Sequence, residues 1–205
     1  CPHANIIHID IDPAELGKIR CPHLAMNADI AQVLTHLLPM IDAQLRSDWR
    51  STVADMQREF PFNQPNSENP LCHYGLIRAA AEALDDETII TTDVGQHQMW
   101  VAQAYPLHRP RQWLTSGGLG TMGFGLPAAI GAALAKPESK VVCFSGDGSL
   151  MMNIQEMATA AEEQLNIKII LMNNQSLGLV HQQQDLFFGK RIFAADYAYR
   201  TNFIH

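Results

Sequence analysis

An α/β fold with a doubly wound parallel sheet is what this sequence predicts, and three observations predict it. Strand-like apolar runs (Thr88–Thr92, Val141–Ser145, Ile167–Met172) alternate with segments of helical periodicity. The polar and glycine-rich clusters, at 93–97, 116–123, 146–149 and 173–178, all follow strands, whereas the opposite strand ends carry plain connections. Open parallel sheets bind ligands beyond the carboxyl ends of their strands. Finally, Gly146-Asp-Gly-Ser149 and Asn173-Asn174 each close a strand, with one helical segment between them and 27 positions from Asp147 to Asn174. A strand, helix and strand of that length form one right-handed crossover, which sets Asp147 and Asn174 side by side at one edge of the sheet.

In order along the chain, Asn5–Asp12 is an apolar strand ending in acids, followed by Pro13 and a short helical segment. Ala28-Asp29-Ile30 opens a helix through Leu38, with Asp29 as its cap. An acid at a strand's carboxyl end either binds a ribose hydroxyl or simply meets solvent. From Pro39 the composition shifts. A polar helix (Asp42–Glu59) leads into Phe60–Pro70, where three prolines and three asparagines in eleven residues read as an interdomain linker. The chain thus divides into the end of one α/β domain (1–38), a linker (39–70) and a second domain (71–205). The second domain opens with a helix (His73–Leu84), the strand Thr88–Thr92 and the cluster Asp93–His97. A short strand, Gln112–Thr115, leads to Ser116–Gly123 and a helix (Leu126–Ala135) whose first turn tolerates Pro127. Between Asp147 and Asn174, residues Ile154, Met157, Ala158, Ala161 and Leu165 share one helix face, and Asn153 with Glu156 reads as a variant capping box.

Composition bounds the rest. The 205 residues, 47% hydrophobic, suffice for one good core or one and a half domains. A net charge of −7 argues against nucleic acid or an anionic membrane as the main partner. No apolar run reaches the roughly 18 residues of a membrane span. Cys1, Cys21, Cys72 and Cys143 have neither metal-type spacing nor a disulfide framework, so a reducing cytoplasm is the expected location. Both chain ends read as cut.

Chemically, a carboxylate at Asp147 and an amide oxygen at Asn174 are hard ligands that suit Mg²⁺ shared with a phosphate. The glycines around Asp147 let backbone N–H groups approach such phosphates. The plain alternative is a sheet-edge turn with an Asx cap. Gly118-Leu-Gly120-Thr-Met-Gly123 also matches the dinucleotide fingerprint G-x-G-x-x-G, with Asp147 24 residues on. That reading leaves Asn173-Asn174 and Gly95-Gln96-His97 without a role.

Gly-Asp-Gly followed some two dozen residues later by Asn-Asn resembles the thiamine diphosphate enzymes. Thr92-Asp-Val-Gly-Gln-His-Gln-Met-Trp100 and Leu114-Thr-Ser-Gly-Gly-Leu-Gly-Thr-Met-Gly-Phe-Gly-Leu-Pro127 resemble the large catalytic subunit of acetohydroxyacid synthases (acetolactate synthases). The resemblance implies that residues 1–38 end a central FAD-binding domain. It also implies that 71–205 are a diphosphate-binding domain lacking its last part, with the pyrimidine-binding domain outside the chain. It implies Mg²⁺ on the Asp147 and Asn174 side chains and the Ser176 carbonyl, and the diphosphate on Gly95, Gln96, His97, Gly148 and Ser149. Gly120 and Met122 would hydrogen-bond the aminopyrimidine through their backbones, with the Met122 side chain supporting the bent cofactor. Asp10, Ile11, Asp29 and Ile30 match FAD-contacting positions. Leu179 and Gln183 fall at the substrate pocket, Gln183 where the family often carries a Trp. The implied reaction joins pyruvate, with loss of CO₂, to a second 2-keto acid (pyruvate or 2-ketobutyrate), the first common step of branched-chain amino acid biosynthesis. Implied partners are a second copy of the subunit, supplying a catalytic glutamate, and a possible small regulatory subunit. This stretch alone is therefore expected to be inactive. Glyoxylate carboligases, pyruvate oxidases, 2-keto acid decarboxylases and a non-catalytic dinucleotide-binding module are the competing readings.

Overall fold

A computed structural model describes residues 3–198 and 201–204. Two compact units divide between Phe62 and Asn63, inside the proline- and asparagine-rich stretch. The first holds two parallel strands, β1 (Ile7–Asp10) and β2 (Leu24–Asn27), then α1 (Ile30–Leu37) and α2 (Ser47–Glu59). Asp29 caps α1 as expected, its carboxylate accepting from the N–H groups of Ala31 and Gln32. Three expectations need correcting here. The segment after Pro13 forms turns instead of a helix, the polar helix starts at Ser47 and not Asp42, and β2 was not foreseen.

The second unit is a four-stranded parallel sheet in the order β4-β3-β5-β6: β3 (Ile89–Thr92), β4 (Trp113–Thr115), β5 (Val141–Gly146) and β6 (Ile167–Met172). Every residue of the central β5 is buried, as a parallel strand covered on both faces requires. Side chains alternate between those faces. On one, Ile90, Val142 and Phe144 pack against Ile77 of α3 (His73–Ala83) and Val101 of α4 (Gln96–Ala104), with Tyr105 alongside. On the other, Val141 and Cys143 meet Ala129, Ala132 and Ala133 of the alanine-rich α5 (Gly125–Ala135). Burial there pushes the Cys143 thiol up to about 11, the behaviour of a core residue.

After β5 come the short α6 (Asp147–Leu150) and α7 (Glu156–Glu162). The predicted capping box does not form: α7 has no side-chain cap. The Asn153 amide instead donates to the Gly123 carbonyl at 2.7 Å, reaching across to another loop. The predicted buried face is also only partly right. Ile154 and Leu165 pack against Leu126, Ile130 and Leu150, joined by Ala160, while Met157, Ala158 and Ala161 are exposed. The last helix, α8 (Gly178–Phe187), follows β6.

Because β4 lies on one side of β3 and β5 on the other, the strand order reverses between β3 and β5. A crevice beyond the carboxyl ends of two such strands is where a parallel sheet offers a binding site.

Candidate active site

The four loops that leave the carboxyl ends of the strands line one cavity of about 150 Å³. Gly95, Gln96 and His97 enter it after β3, Gly120 and Met122 after β4, Asp147, Gly148 and Ser149 after β5, and Asn174, Ser176 and Leu179 after β6. These are all the residues that the sequence placed at a diphosphate, metal or pyrimidine, together with one of the two placed at a substrate. Gln183 is not in the lining; it is exposed on α8.

The β5–β6 ladder brings the two halves of the motif together, since Gly146 pairs with Met172 just before each loop departs. Asp147 is buried at the start of α6. Its Oδ1 accepts from the Gly148 N–H at 3.0 Å and its Oδ2 from the Gln175 N–H at 2.8 Å, so one carboxylate ties both loops. Asn174 Oδ1 accepts from the Ser176 N–H at 3.2 Å. Ser149 sends its hydroxyl to the Val94 carbonyl at 2.7 Å, which leaves its backbone N–H, in the first helical turn and without an intrahelical partner, as its group for a ligand.

His97 is buried in the first turn of α4, its ring against two glycines. A Cβ at Gly146 would lie 3.1 Å from Nδ1, and one at Gly95, where φ is +151°, 3.0 Å away. Nε2 is buried with no hydrogen-bond partner among the described residues. Such an atom costs about 1–3 kcal/mol, and in a binding site a ligand commonly satisfies it. Burial lowers the His97 pKa from 6.5 to about 4, against the opposing pull of the Asp93 charge, so the ring is neutral near pH 7. The sign for stability follows. Above pH 6.5 neither the folded nor the unfolded state binds the proton; below it the unfolded state binds first, so stability falls from pH 6.5 down to about 4. In cofactor-free protein we expect a loss of about 3 kcal/mol over this range by denaturant titration, and a flatter profile for His97→Asn.

Two contributors were not read from the sequence. Asp93, almost fully buried, accepts from the N–H groups of Val94, Gly123 (2.8 Å) and Gly125 (3.0 Å), and so anchors the turn carrying Gly120 and Met122. Its signal was present: an acid directly at a strand end, in a chain that also holds a glycine-rich turn needing an acceptor. The second is a strap, Ala195–Tyr197. Leu177 N–H donates to the Ala195 carbonyl at 2.7 Å, Tyr197 N–H to the Gln175 carbonyl at 3.1 Å, and Asp196 meets His181 at 2.9 Å. The Tyr197 hydroxyl lies 2.0 Å from where a Cβ on Gly148 would stand. Nothing in local periodicity announces such a contact.

The arrangement fits a diphosphate held through a divalent cation. It offers one buried carboxylate, an adjacent amide oxygen, glycines permitting close approach and an unpartnered imidazole nitrogen. Among the described residues no group of three His, Cys, Asp or Glu side chains could hold a metal by itself. A cation here would complete its shell from backbone and phosphate oxygens, as Mg²⁺ does.

In the first unit, Asp10 is the last residue of β1, and Asp29 stands just beyond the carboxyl end of the adjacent β2. Ile11 and Ile30 beside them are exposed. Asp10 already accepts from the Asp12 N–H, and Asp29 caps α1. None of the four lines the apolar groove of that unit, which runs between Ile7, Leu24, Val33 and Met40.

Residues 93–205 match the family described as "Thiamine pyrophosphate enzyme, C-terminal TPP binding domain". Over 204 residues, all of this chain and 36% of the relative, the sequence is 69% identical to the acetolactate synthase isozyme 1 large subunit of Escherichia coli (strain K12). Identity to the isozyme 2 large subunit of the same organism is 46% over 191 residues, 93% of this chain and 34% of the relative. Acetolactate synthase 1, chloroplastic, of Nicotiana tabacum is 47% identical over 191 residues, 90% of this chain and 29% of the relative. The chain thus spans about a third of the length of these relatives.

Proposed function

The chain belongs to the thiamine pyrophosphate (thiamine diphosphate) enzymes, and from that premise we propose that it is the diphosphate-binding part of an acetohydroxyacid synthase large subunit. The observation that carries this reading is the meeting, in one cavity, of the Asp147 carboxylate, the Asn174 amide and the unpartnered Nε2 of His97. Identity of 69% to an acetolactate synthase large subunit supports it against the other enzymes of the family.

In this reading Mg²⁺ is held by Asp147 and Asn174 side chains and the Ser176 carbonyl. Gly95, Gln96, His97, Gly148 and Ser149 hold the diphosphate, with neutral His97 donating from one ring N–H. Gly120 and Met122 would orient the aminopyrimidine through backbone groups, and the Met122 side chain would support the cofactor. Thiamine diphosphate, when bound, supplies the electron sink that lets pyruvate lose CO₂ and join a second 2-keto acid. The protein's own part is to fix that cofactor on a rigid sheet edge and exclude water around it. Asp10, Ile11, Asp29 and Ile30 form an FAD contact, residues 1–38 and 71–205 belong to separate domains joined by 39–70, and the complete protein is a cytoplasmic homo-oligomer open to a small regulatory subunit.

Calorimetry on the complete enzyme tests the proposal. Thiamine diphosphate should bind only with Mg²⁺, and the loaded enzyme should form acetolactate from pyruvate; binding of NAD in its place would overturn it. The cavity's one carboxylate is Asp147, already engaged with two backbone N–H groups. Among the described residues no second carboxyl group lines the cavity to move the ring's proton, so the 205-residue chain alone is expected to release no acetolactate from pyruvate in a colorimetric assay.

Gln183 carries substrate choice. It lies four residues beyond cavity-lining Leu179, on the same face of α8. A glutamine offers the extra methyl of 2-ketobutyrate less apolar contact than an indole would, and one methylene in an apolar pocket is worth about 1–3 kcal/mol, or roughly 10–200-fold. The complete enzyme should discriminate weakly between pyruvate and 2-ketobutyrate as second substrate. Gln183→Trp should raise preference for 2-ketobutyrate at least about tenfold in direct competition; an unchanged ratio would show that Gln183 has no part in substrate choice.

A further inference from the structure

Three side-chain amides stand head to tail across the start of α8. Gln96 Nε2 donates to Gln182 Oε1 at 2.9 Å, and Asn174 Nδ2 donates to Gln96 Oε1 at 3.4 Å. That leaves Asn174 Oδ1 facing the other way, toward the Ser176 N–H. The chain crosses Gly178 so closely that a Cβ there would lie 2.1 Å from Gln96 Oε1 and 2.4 Å from Asn174 Nδ2. Three segments thus share one hydrogen-bond line, with Gln96 at the start of α4, Asn174 in the loop after β6 and Gln182 on α8.

A primary amide has nearly the same shape with its oxygen and nitrogen exchanged, so packing cannot choose its orientation; only hydrogen bonds can. The choice is chemically decisive for Asn174, since an oxygen can ligate a cation and an NH₂ group repels one. We propose that Gln182 is a positioning residue that reinforces the polarity the Ser176 N–H gives Asn174. By accepting from Gln96 Nε2 it turns Gln96 Oε1 toward Asn174, which holds Asn174 Nδ2 and keeps Oδ1, with the lone pair that the Ser176 N–H does not use, for the metal. The inference rests on Asn174 being a Mg²⁺ ligand in the functional reading above.

The test is a double-mutant cycle in the complete enzyme, pairing Gln182→Met with Asn174→Asp and reading the Mg²⁺ requirement for thiamine diphosphate binding by calorimetry. With Asn174 present, Gln182→Met should raise the Mg²⁺ concentration for half-saturation about three- to tenfold, the effect of one neutral hydrogen bond. A carboxylate has two equivalent oxygens and no polarity to set. In the Asn174→Asp background, therefore, Gln182→Met should change the requirement by less than about twofold. Equal losses in both backgrounds would reduce Gln182 to a packing role, and no loss beside Asn174 would remove it from the site. Either result leaves the functional reading standing, whereas cofactor binding indifferent to Mg²⁺ in the unaltered enzyme overturns that reading and the relay's role with it.

Discussion

Asp147→Ala in the complete enzyme is expected to abolish Mg²⁺-dependent binding of thiamine diphosphate. Asp147 is buried, with both oxygens engaged by backbone N–H groups of two loops. Among the described residues no other carboxylate lines the cavity to take over its charge. Removing one member of a buried charge pairing costs about 3–5 kcal/mol, a weakening of roughly a hundred- to several-thousandfold. Asn174→Ala removes only a neutral amide and should weaken binding less. The measurement is calorimetric titration of cofactor at saturating Mg²⁺, with circular dichroism checking the fold. Undiminished affinity in the Asp147 variant would dissolve the metal assignment.

The second large effect is on stability. Asp93→Ala leaves the N–H groups of Val94, Gly123 and Gly125 without their acceptor, in a place where water has little access. Each unsatisfied buried donor costs about 1–3 kcal/mol. Local relaxation recovers part of the total, so we expect a loss of about 3–5 kcal/mol, seen as a fall in thermal midpoint on the order of 10 °C. The turn bearing Gly120 and Met122 should loosen with it, and amide exchange at Gly120–Gly125 should speed up in the variant. A midpoint within about 2 °C of the parent would show that the turn holds itself.

The Asp147–Asn174 pairing was legible because it rests on a topological rule. Two strand-like runs joined by a helix must lie parallel, with their following loops at one edge. The asymmetry of the polar clusters was legible for the same reason, and all four loops do meet at one cavity. Where the sequence misled, tertiary contacts had outbid local ones. Asn153 has the composition of a cap, but its amide serves the Gly123 carbonyl. The α4 helix went unread because its first turn is the polar Gln96-His97 pair and it starts from Gly95 at φ +151°. The strand β2 is only Leu-Ala-Met-Asn, residues with no preference for extended backbone, held by its pairing to β1. The strap over Gly148 depends on Tyr197, nearly fifty positions away, and long-range contacts of that kind leave no periodic trace.

The six-pair ladder between β5 and β6, from Val141 with Ile167 to Gly146 with Met172, acts as a ruler for the site. Ladder register places each loop's point of departure; the number of residues in the crossover does not. The interval from Asp147 to Asn174 is then a consequence of how much chain the connection uses, and an added turn in the exposed stretch after Ala160 would leave both side chains where they are. Deleting one residue inside Val141–Gly146 is a different matter. It would draw Asp147 back by about 3.3 Å, more than the length of a Mg²⁺–oxygen bond at roughly 2.1 Å, and turn the residues beyond the deletion to the opposite face of the sheet. The connection therefore has freedom to vary in length, and the strand has none.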